Sequence, residues 1–192
     1  AYNTASGLLS SVSGGYENTA SGEHSSISGG WSNEASGVRS AVSAGFHNTA
    51  SGDRSSVSGG YDNSASGSTS SVSGGLLNKA TMSYSNVSGG SWNTASGSYS
   101  SVSGGTRNIA SGSYSNVSGG RYNEASGSYT FVGGGGGAND YEGNLAFADY
   151  SAILGGRANG TGDVSRTHNS SGGYYTVTPG TDHTVGIQST VS

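Results

Sequence analysis

Few residues of this chain have the type and spacing that catalysis or metal binding requires. The four histidines share no common spacing and stand at His24, His47, His168 and His183. The chain has no cysteine, so neither disulfides nor thiol chemistry can contribute. Serine is abundant, but no Gly-x-Ser-x-Gly nucleophile elbow and no paired acid and base accompany it. We therefore expect a protein that is not an enzyme and that carries no cofactor.

Two further patterns could bind an ion or be modified. The acidic stretch Asn139–Glu142 could hold a cation, although acidic residues in a glycine-rich loop more often remain solvated. The calcium-binding Gly-Gly-x-Gly-x-Asp repeat does not occur in the sequence. Other segments match the N-glycosylation acceptor pattern, which arises by chance in a serine-rich chain: Asn86–Ser88, Asn116–Ser118, Asn159–Thr161 and Asn169–Ser171.

The element that would position all of these residues is a fifteen-residue repeat. It reads aromatic-x-Asn-x-Ala-Ser-Gly-x-x-Ser-Ser-Val-Ser-Gly-Gly and runs without a gap over nine copies, residues 1–135. We number the positions within each copy from one to fifteen. A period so short and strict predicts an array in which each copy stacks on the next. Fifteen residues are too few for a pair of helices, but they fit one rung of a β-solenoid with two short strands and two turns.

The repeat divides into two halves, positions one to seven and eight to fifteen. Each half ends in Gly, where a tight turn needs a positive φ or a close backbone approach. Side chains within each half should alternate between the core and the surface. The Asn, Ala, Ser and Val at positions three, five, ten and twelve are never replaced by a charged residue. The pattern predicts stacks of Ala and Val in a thin core, beside hydrogen-bonded ladders of Asn and of Ser.

Composition excludes several classes of protein. With 30% hydrophobic residues, 9% charged residues and 37 glycines, the chain cannot build a core of large side chains. The low charge and strict period favour ordered stacking over disorder. The net charge of -4 is spread over both signs without a basic run, which argues against nucleic-acid binding. No apolar stretch is long enough to span a membrane, so we expect no membrane insertion.

Positions eleven and thirteen form a candidate interface between chains. They should point outward, yet they are never charged, whereas position four accepts Glu34, Lys79 and Glu124. Small uncharged residues suit close packing between chains, although they also suit tight turns. A buried Val contributes only roughly 1.5–3 kcal/mol, and ordering costs about 1.5 kcal/mol per residue, so burial between chains is expected. The candidate interface residues are Ser11, Ser13, Ser56, Ser58, Ser101, Ser103, Phe131 and Leu154.

Large side chains recur at two further positions and should form ladders, because neighbouring rungs lie ~4.8 Å apart. We favour the interpretation that these ladders protect the turn edges by stacking. The alternative is an exposed surface for carbohydrate or protein, because rows of aromatic residues often serve as binding platforms. Position one carries Tyr16, Trp31, Phe46, Tyr61 and Leu76, and position nine carries the candidate binding ladder Tyr84, Tyr99, Tyr114 and Tyr129.

The pattern weakens after the ninth copy. Glu142–Gly156 reads as a tenth rung after the insertion Gly136–Tyr141, and a degraded eleventh rung follows. Val164–Ser170 reads as a loop, and Tyr174–Val191 alternates in the manner of strands. We divide the chain into a repeat array (1–135), an insertion with degenerate final rungs (136–163) and a small β module that begins a further domain (164–192).

The half-units resemble the head repeats of trimeric autotransporter adhesins, the YadA-like family. Leu8–Gly15 followed by Tyr16–Gly22 parallels that family's x-x-Asn-Ser-Val-Ala-Ile-Gly and x-x-Ser-x-Ala-x-Gly. Similar repeats occur in phage tail fibres, and the C-terminal residues look like β modules of such fibres. The resemblance implies an all-β, left-handed parallel β-roll in which three chains surround one axis. One departure is that the family's Ile is Gly14 here, which shrinks the core.

The same resemblance implies a function. It predicts an extracellular attachment fibre on a virion or bacterial surface, which binds a cell-surface receptor or glycan. The division into seven and eight residues also resembles the ryegrass ice-recrystallisation inhibitor, so an ice-binding solenoid is the alternative. Ice binding needs a flat, Thr-rich face, and the threonines at position four are interrupted by charged residues. A purely structural filament or spacer is a further alternative.

Overall fold

The computed structural model describes residues 2–162, and the backbone alone of Val164–Arg166 and Val177–Pro179. Residues 2–162 form a parallel β-solenoid built from an 11-stranded and a 10-stranded sheet. This confirms the predicted all-β solenoid of fifteen-residue rungs. The helical structure in the described part of the chain is a single 3-10 turn, Asp140–Glu142. The described residues contain no helix that is long and apolar enough to cross a membrane.

The first sheet takes two residues from positions four and five of every rung. Its neighbours pair in parallel and in register, so that Thr4 lies beside Thr19 and Ala5 beside Ala20. Its strands are Thr4–Ala5, Thr19–Ala20, Glu34–Ala35, Thr49–Ala50, Ser64–Ala65, Lys79–Ala80, Thr94–Ala95, Ile109–Ala110, Glu124–Ala125, Leu145–Ala146 and Gly160–Thr161.

The second sheet takes positions eleven and twelve, with the same parallel register. Val12 pairs with Ile27, for example, and Val132 with Ile153. Its strands are Ser11–Val12, Ser26–Ile27, Ala41–Val42, Ser56–Val57, Ser71–Val72, Asn86–Val87, Ser101–Val102, Asn116–Val117, Phe131–Val132 and Ala152–Ile153. At ~4.8 Å per rung the stack forms a rod on the order of 50 Å long.

The core lies between the two sheets and contains the residue types that the sequence predicts. Ala at position five and Val or Ile at position twelve are buried from Ala20 to Ile153. The Asn of position three and the Ser or Thr of position ten are buried beside them. All four inward positions are therefore confirmed. The core is one residue wide on each sheet, because each rung contributes one Ala and one Val.

The buried asparagines form the predicted ladder, but most of their bonds go to backbone groups. Asn63 Nδ2 donates to the Gly59 and Gly75 carbonyls, at 3.0 and 2.9 Å. Its Oδ1 accepts the backbone N–H of Asn78 at 3.0 Å. Direct contact between amides is rarer, as in Asn63 Nδ2 to Asn48 Oδ1 at 3.2 Å. Each side chain therefore joins its own turn to the next rung.

The predicted serine ladder is wrong. The hydroxyls of Ser25, Ser40, Ser55, Ser70 and Ser115 are buried and have no hydrogen-bond partner among the described residues. Ser100 Oγ instead donates to the Gly97 carbonyl of its own rung at 2.6 Å. At position ten the hydroxyls make no bond between rungs, whereas at position three the Asn63 Oδ1 accepts the Asn78 N–H of the next rung.

Glycine is favoured at positions seven and fifteen for different reasons. A Cβ on Gly52 would lie 2.1 Å from the Gly67 carbonyl oxygen, so rungs approach closely at position seven. Gly60, at position fifteen, has a φ of +90°. Position fourteen has neither constraint in most rungs and carries Ala44 in one of them. Position seven admits Met82 in the sixth rung, which the consensus pattern did not anticipate.

The chain beyond the ninth copy keeps the solenoid for longer than its sequence suggests. Asn159 joins the asparagine ladder through its backbone N–H to Asn144 Oδ1 at 3.1 Å. Thr161 takes the place of the core Ala, and its hydroxyl lies 2.7 Å from Ser151 Oγ. The prediction of a loop at Val164–Ser170 is wrong for Val164–Arg166, which pairs in antiparallel fashion with Val177–Pro179. The rest of the predicted strand segment Tyr174–Val191 lies outside the described residues.

Candidate functional site

The two turns of each rung expose large side chains because one residue in each turn adopts a left-handed backbone. These residues stand at positions two and nine and include Trp92, with φ of 60°, and Tyr99, with φ of 58°. Few residues other than Gly adopt this conformation without strain. Since it recurs at the same place in successive rungs, equivalent side chains leave the solenoid in the same direction. The outcome is two edges lined with rows of side chains.

The tyrosines at position nine form a regular stack along one edge. Successive rings from Tyr84 to Tyr129 lie 4.6 to 4.9 Å apart, with interplanar angles of 1 to 4°. Tyr150 continues the stack 5.0 Å from Tyr129, and the sequence analysis did not include it. It could have been found from its place at position nine of the tenth rung.

This stack confirms the ladder but limits what it can bind. Each inner ring is covered on both faces by its neighbours, so that ring edges and hydroxyl groups face the solvent. A ligand that stacks on a ring face could therefore reach the terminal rings, such as Tyr150, which is 79% exposed. Protection of the turn edge by stacking accounts for the three inner tyrosines, Tyr99, Tyr114 and Tyr129.

The aromatic residues at position one line the opposite edge in a less regular row. Tyr16 and Trp31 meet edge to face at 5.9 Å, and so do Trp31 and Phe46 at 5.1 Å. Phe46 and Tyr61 stack at 5.2 Å with an angle of 19°. Rings of different size cannot repeat one orientation from rung to rung, whereas identical tyrosines can.

The same edge changes character in the later rungs, where arginine alternates with aromatic rings. The Arg107 guanidinium carbon lies 5.7 Å from the centre of the Trp92 ring and 5.4 Å from that of Tyr122. Arg121 lies 5.1 Å from the Tyr122 ring. We call these four residues the arginine–aromatic cluster. The sequence analysis did not identify this cluster, because its residues lie at positions one and two, where the residue type changes from copy to copy.

The candidate interface residues lie on the outward face of the second sheet, as predicted. Ser13, Ser58 and Ser103 are exposed, and Ser56 and Ser101 are half-buried. Ser11, at the first rung, is also exposed. At the far end of this face Phe131 and Leu154 are 37% and 84% exposed. The eight residues thus share one surface, which no other part of the described chain covers.

Polar residues that could have formed a reactive site are mostly engaged in local structure. The Glu142 carboxylate accepts the Ala138 N–H at 2.6 Å and pairs with Arg157 at 3.3 Å. His24 lies beside Glu23 at 3.6 Å, and His47 packs near Phe46. Within the described residues, no three His, Asp or Glu side chains are close enough to hold a metal ion. His168 and His183 lie outside the described residues.

Two asparagines of the glycosylation patterns form side-chain hydrogen bonds on the solenoid. The side chains of Asn86 and Asn116 donate to Ser71 Oγ and Ser101 Oγ on the face of the second sheet.

Glu124, expected on a solvated face, lies between Ile109 and Leu145 in the first sheet. Burial there raises the pKa of the Glu124 carboxyl above the ordinary value of a glutamate.

No protein-family model matches the chain, and no curated protein is significantly similar to it. The class of protein is therefore defined by the fold alone, as a parallel β-solenoid repeat protein.

Proposed function

We propose that this chain is a non-enzymatic, fibrous attachment protein that assembles as a homotrimer, with the second sheet of each copy facing the threefold axis. The rod would hold its exposed edges away from the surface that carries it and present them to a cell-surface receptor or glycan. Such a fibre acts outside the cell, on a virion or a bacterial surface. The observation that carries this proposal is the uncharged face of the second sheet.

That face differs from the face of the first sheet along the whole rod. Positions eleven and thirteen carry Ser, Ala or Asn in the first eight rungs and Phe131 and Gly133 in the ninth, without one charged residue. The first sheet exposes Glu34 and Lys79 at position four. Charged residues are depleted at the centres of interfaces between chains, because burying them costs free energy. Close packing of small residues therefore suits the second sheet alone.

The C-terminal end of this face is apolar. Phe131 pairs in register with Ala152, and Leu154 follows two residues later on the same face. Exposed large apolar residues that lie together favour a contact with another chain. Three copies of Phe131 and Leu154 around an axis would close the interface at this end of the rod.

Sedimentation equilibrium on three matched proteins tests the assembly. In Ser101→Asp combined with Ser103→Asp, three copies of each carboxylate would meet near the axis, where ionised groups in a poorly solvated site cost several kcal/mol. We expect the wild type to be a trimer and this variant to dissociate or unfold. Thr94→Asp, on the opposite sheet, should remain a trimer. A monomeric wild type, or a trimer unaffected by the Ser101 and Ser103 changes, would refute the proposed assembly.

Ice binding is the second candidate, and one observation favours it. The serines of the second sheet form two straight rows in exact register, such as Ser56 beside Ser71, on a face without charges. An ice-recrystallisation assay on the wild type and on Ser56→Asp with Ser58→Asp distinguishes the candidates. Inhibition at micromolar concentration that the substitutions abolish would support ice binding. Its absence in a trimeric wild type would refute ice binding.

A further inference from the structure

We propose that the arginine–aromatic cluster is a binding site for an acidic saccharide, in which the arginines hold an oxyanion and the rings contact the sugar. This inference rests on the proposed attachment function and names the chemical class of its ligand. The cluster consists of Trp92, Arg107, Arg121 and Tyr122, from three successive rungs of one edge. Because their rungs lie ~4.8 Å apart, the four side chains form one continuous surface.

The local backbone places the cluster on the outside of the turn. Trp92, Arg107 and Tyr122 occupy position two and have φ values of 60, 56 and 57°. The same left-handed conformation in three rungs sends all three side chains in the same direction. Trp92 is 50% exposed, and both arginines are exposed. The site is therefore open to a large ligand.

The arginines are held by rings rather than by acids. Arg107 lies between the Trp92 and Tyr122 rings, and Arg121 lies against Tyr122. In residues 2–162 the recorded ion pairs are His24 with Glu23 and Arg157 with Glu142, so neither cluster arginine has a carboxylate partner there. A guanidinium that stacks on a ring keeps its N–H groups at its rim, where they can donate in pairs to a carboxylate or sulfate.

The rings favour a saccharide over a simple anion or a peptide. Trp92 and Tyr122 supply apolar surface that inorganic phosphate cannot use, whereas the C–H groups of a sugar can pack against it. A peptide that adds as a strand needs unpaired backbone groups. At this edge Arg107 N donates to the Ser91 carbonyl and Tyr122 N to the Thr106 carbonyl, at 2.9 and 3.0 Å. The backbone is therefore engaged, and the side chains carry the recognition.

Tryptophan fluorescence measures binding at this site directly. The chain has two tryptophans, and Trp31→Phe keeps an aromatic ring in the position-one row while leaving Trp92 as the only indole. The Trp31→Phe protein is titrated with an oligogalacturonate (carboxylated), a sulfated dextran oligosaccharide, the unsulfated dextran, and an oligoglutamate peptide. We expect saturable changes in Trp92 emission with one or both acidic saccharides, weakened by added salt. The two acidic arms reveal whether carboxylate or sulfate is the preferred oxyanion.

Matched variants separate this site from general charge attraction. Arg107→Gln with Arg121→Gln should weaken binding of the acidic saccharide roughly tenfold or more, because bonds to charged groups are lost. Arg39→Gln with Arg54→Gln removes the same charge from the opposite edge and should leave the affinity unchanged. The assignment would be overturned if both variants weakened binding of the acidic saccharide equally. It would also be overturned if only the neutral dextran bound, or if oligoglutamate changed the Trp92 emission as much as the acidic saccharide did. These outcomes are independent of the oligomeric state, so a trimer without saccharide binding refutes this inference alone.

Discussion

The two halves of each rung both bury a polar row, but they hold it in different ways. In the first half, the Asn63 amide makes its bonds to Gly59, Gly75 and Asn78, and so links two rungs. In the second half, the Ser70 hydroxyl is equally buried and has no partner among the described residues. A buried polar atom stabilises a fold only when its hydrogen bonds are made. The comparison shows that the asparagine row stabilises the stack, whereas the serine row mainly fills space of the right volume.

The largest effect should come from breaking the asparagine row. We expect Asn63→Ala to lower the free energy of unfolding by about 2–6 kcal/mol, since it leaves the buried Asn78 N–H and the partly buried Gly59 carbonyl unpaired at about 1–3 kcal/mol each. The Gly75 carbonyl keeps the hydrogen bond from the Tyr61 N–H. Urea denaturation followed by circular dichroism measures this loss. A loss no greater than that of the corresponding serine substitution would show that the two rows are equivalent.

Replacing each of the two adjacent glycines that end the second half by Ala should have opposite effects on stability. Gly60 has a φ of +90°, and a Cβ there would lie 2.3 Å from the Gly75 carbonyl oxygen. We expect Gly60→Ala to cost about 1–3 kcal/mol through backbone strain. The matched Gly59→Ala places its Cβ 3.7 Å from the nearest heavy atom, in a position where Ala44 occurs naturally. It should stabilise by about 0.4–1 kcal/mol through the unfolded chain. Thermal denaturation measures the stability of both variants. If Gly60→Ala and Gly59→Ala were equally destabilised, this explanation would be wrong.

The outward row of the first half contains one carboxylate whose environment affects stability as pH changes. Burial raises the pKa of Glu124 above 4.5 in the folded state, so the folded protein holds this proton more tightly than the unfolded chain. Stability should therefore fall as pH rises from 4.5 through the raised pKa. Glu124→Gln should remove that loss and be more stable than the wild type at neutral pH, with little difference at low pH.

Glu34 is the matched control for this effect, because it occupies the same position of the repeat and is exposed. Glu34→Gln makes the same change of a carboxylate to an amide at this exposed site. Chemical denaturation across the acidic range measures both variants. An identical pH profile for wild type and Glu124→Gln would mean that Glu124 is solvated in solution.

The smallest effect should come from the serine row. We expect Ser70→Ala to change the free energy of unfolding by about 1 kcal/mol or less, because it removes a buried hydroxyl that has no partner. Ser100→Ala is the matched comparison, because it removes a hydroxyl that donates a hydrogen bond to the Gly97 carbonyl. It should be the more destabilising of the two. A cost for Ser70→Ala close to that of Asn63→Ala would reveal hydrogen bonds to water in the serine row.

The sequence alone determined the architecture of the array. The period of fifteen residues, the four uncharged inward positions and the glycine at each turn predicted the solenoid, its two sheets and its Ala and Val core. These features are local and repeat in every rung, so each copy reports the same environment. Charge tolerance at each position was enough to separate the core from the surface, because a buried charge is costly.

Only the tertiary structure decided how side chains meet between rungs. The sequence cannot distinguish Asn63, whose amide bonds to Asn78 of the next rung, from Ser70, whose hydroxyl has no partner, since both positions are polar and never charged. Nor does it show the left-handed turn residues that align Trp92, Arg107 and Tyr122. Positive φ at residues other than Gly has no strong sequence signal, because stacking between rungs compensates the strain. Contacts of this kind depend on atoms fifteen residues apart, which the stacking of rungs brings together.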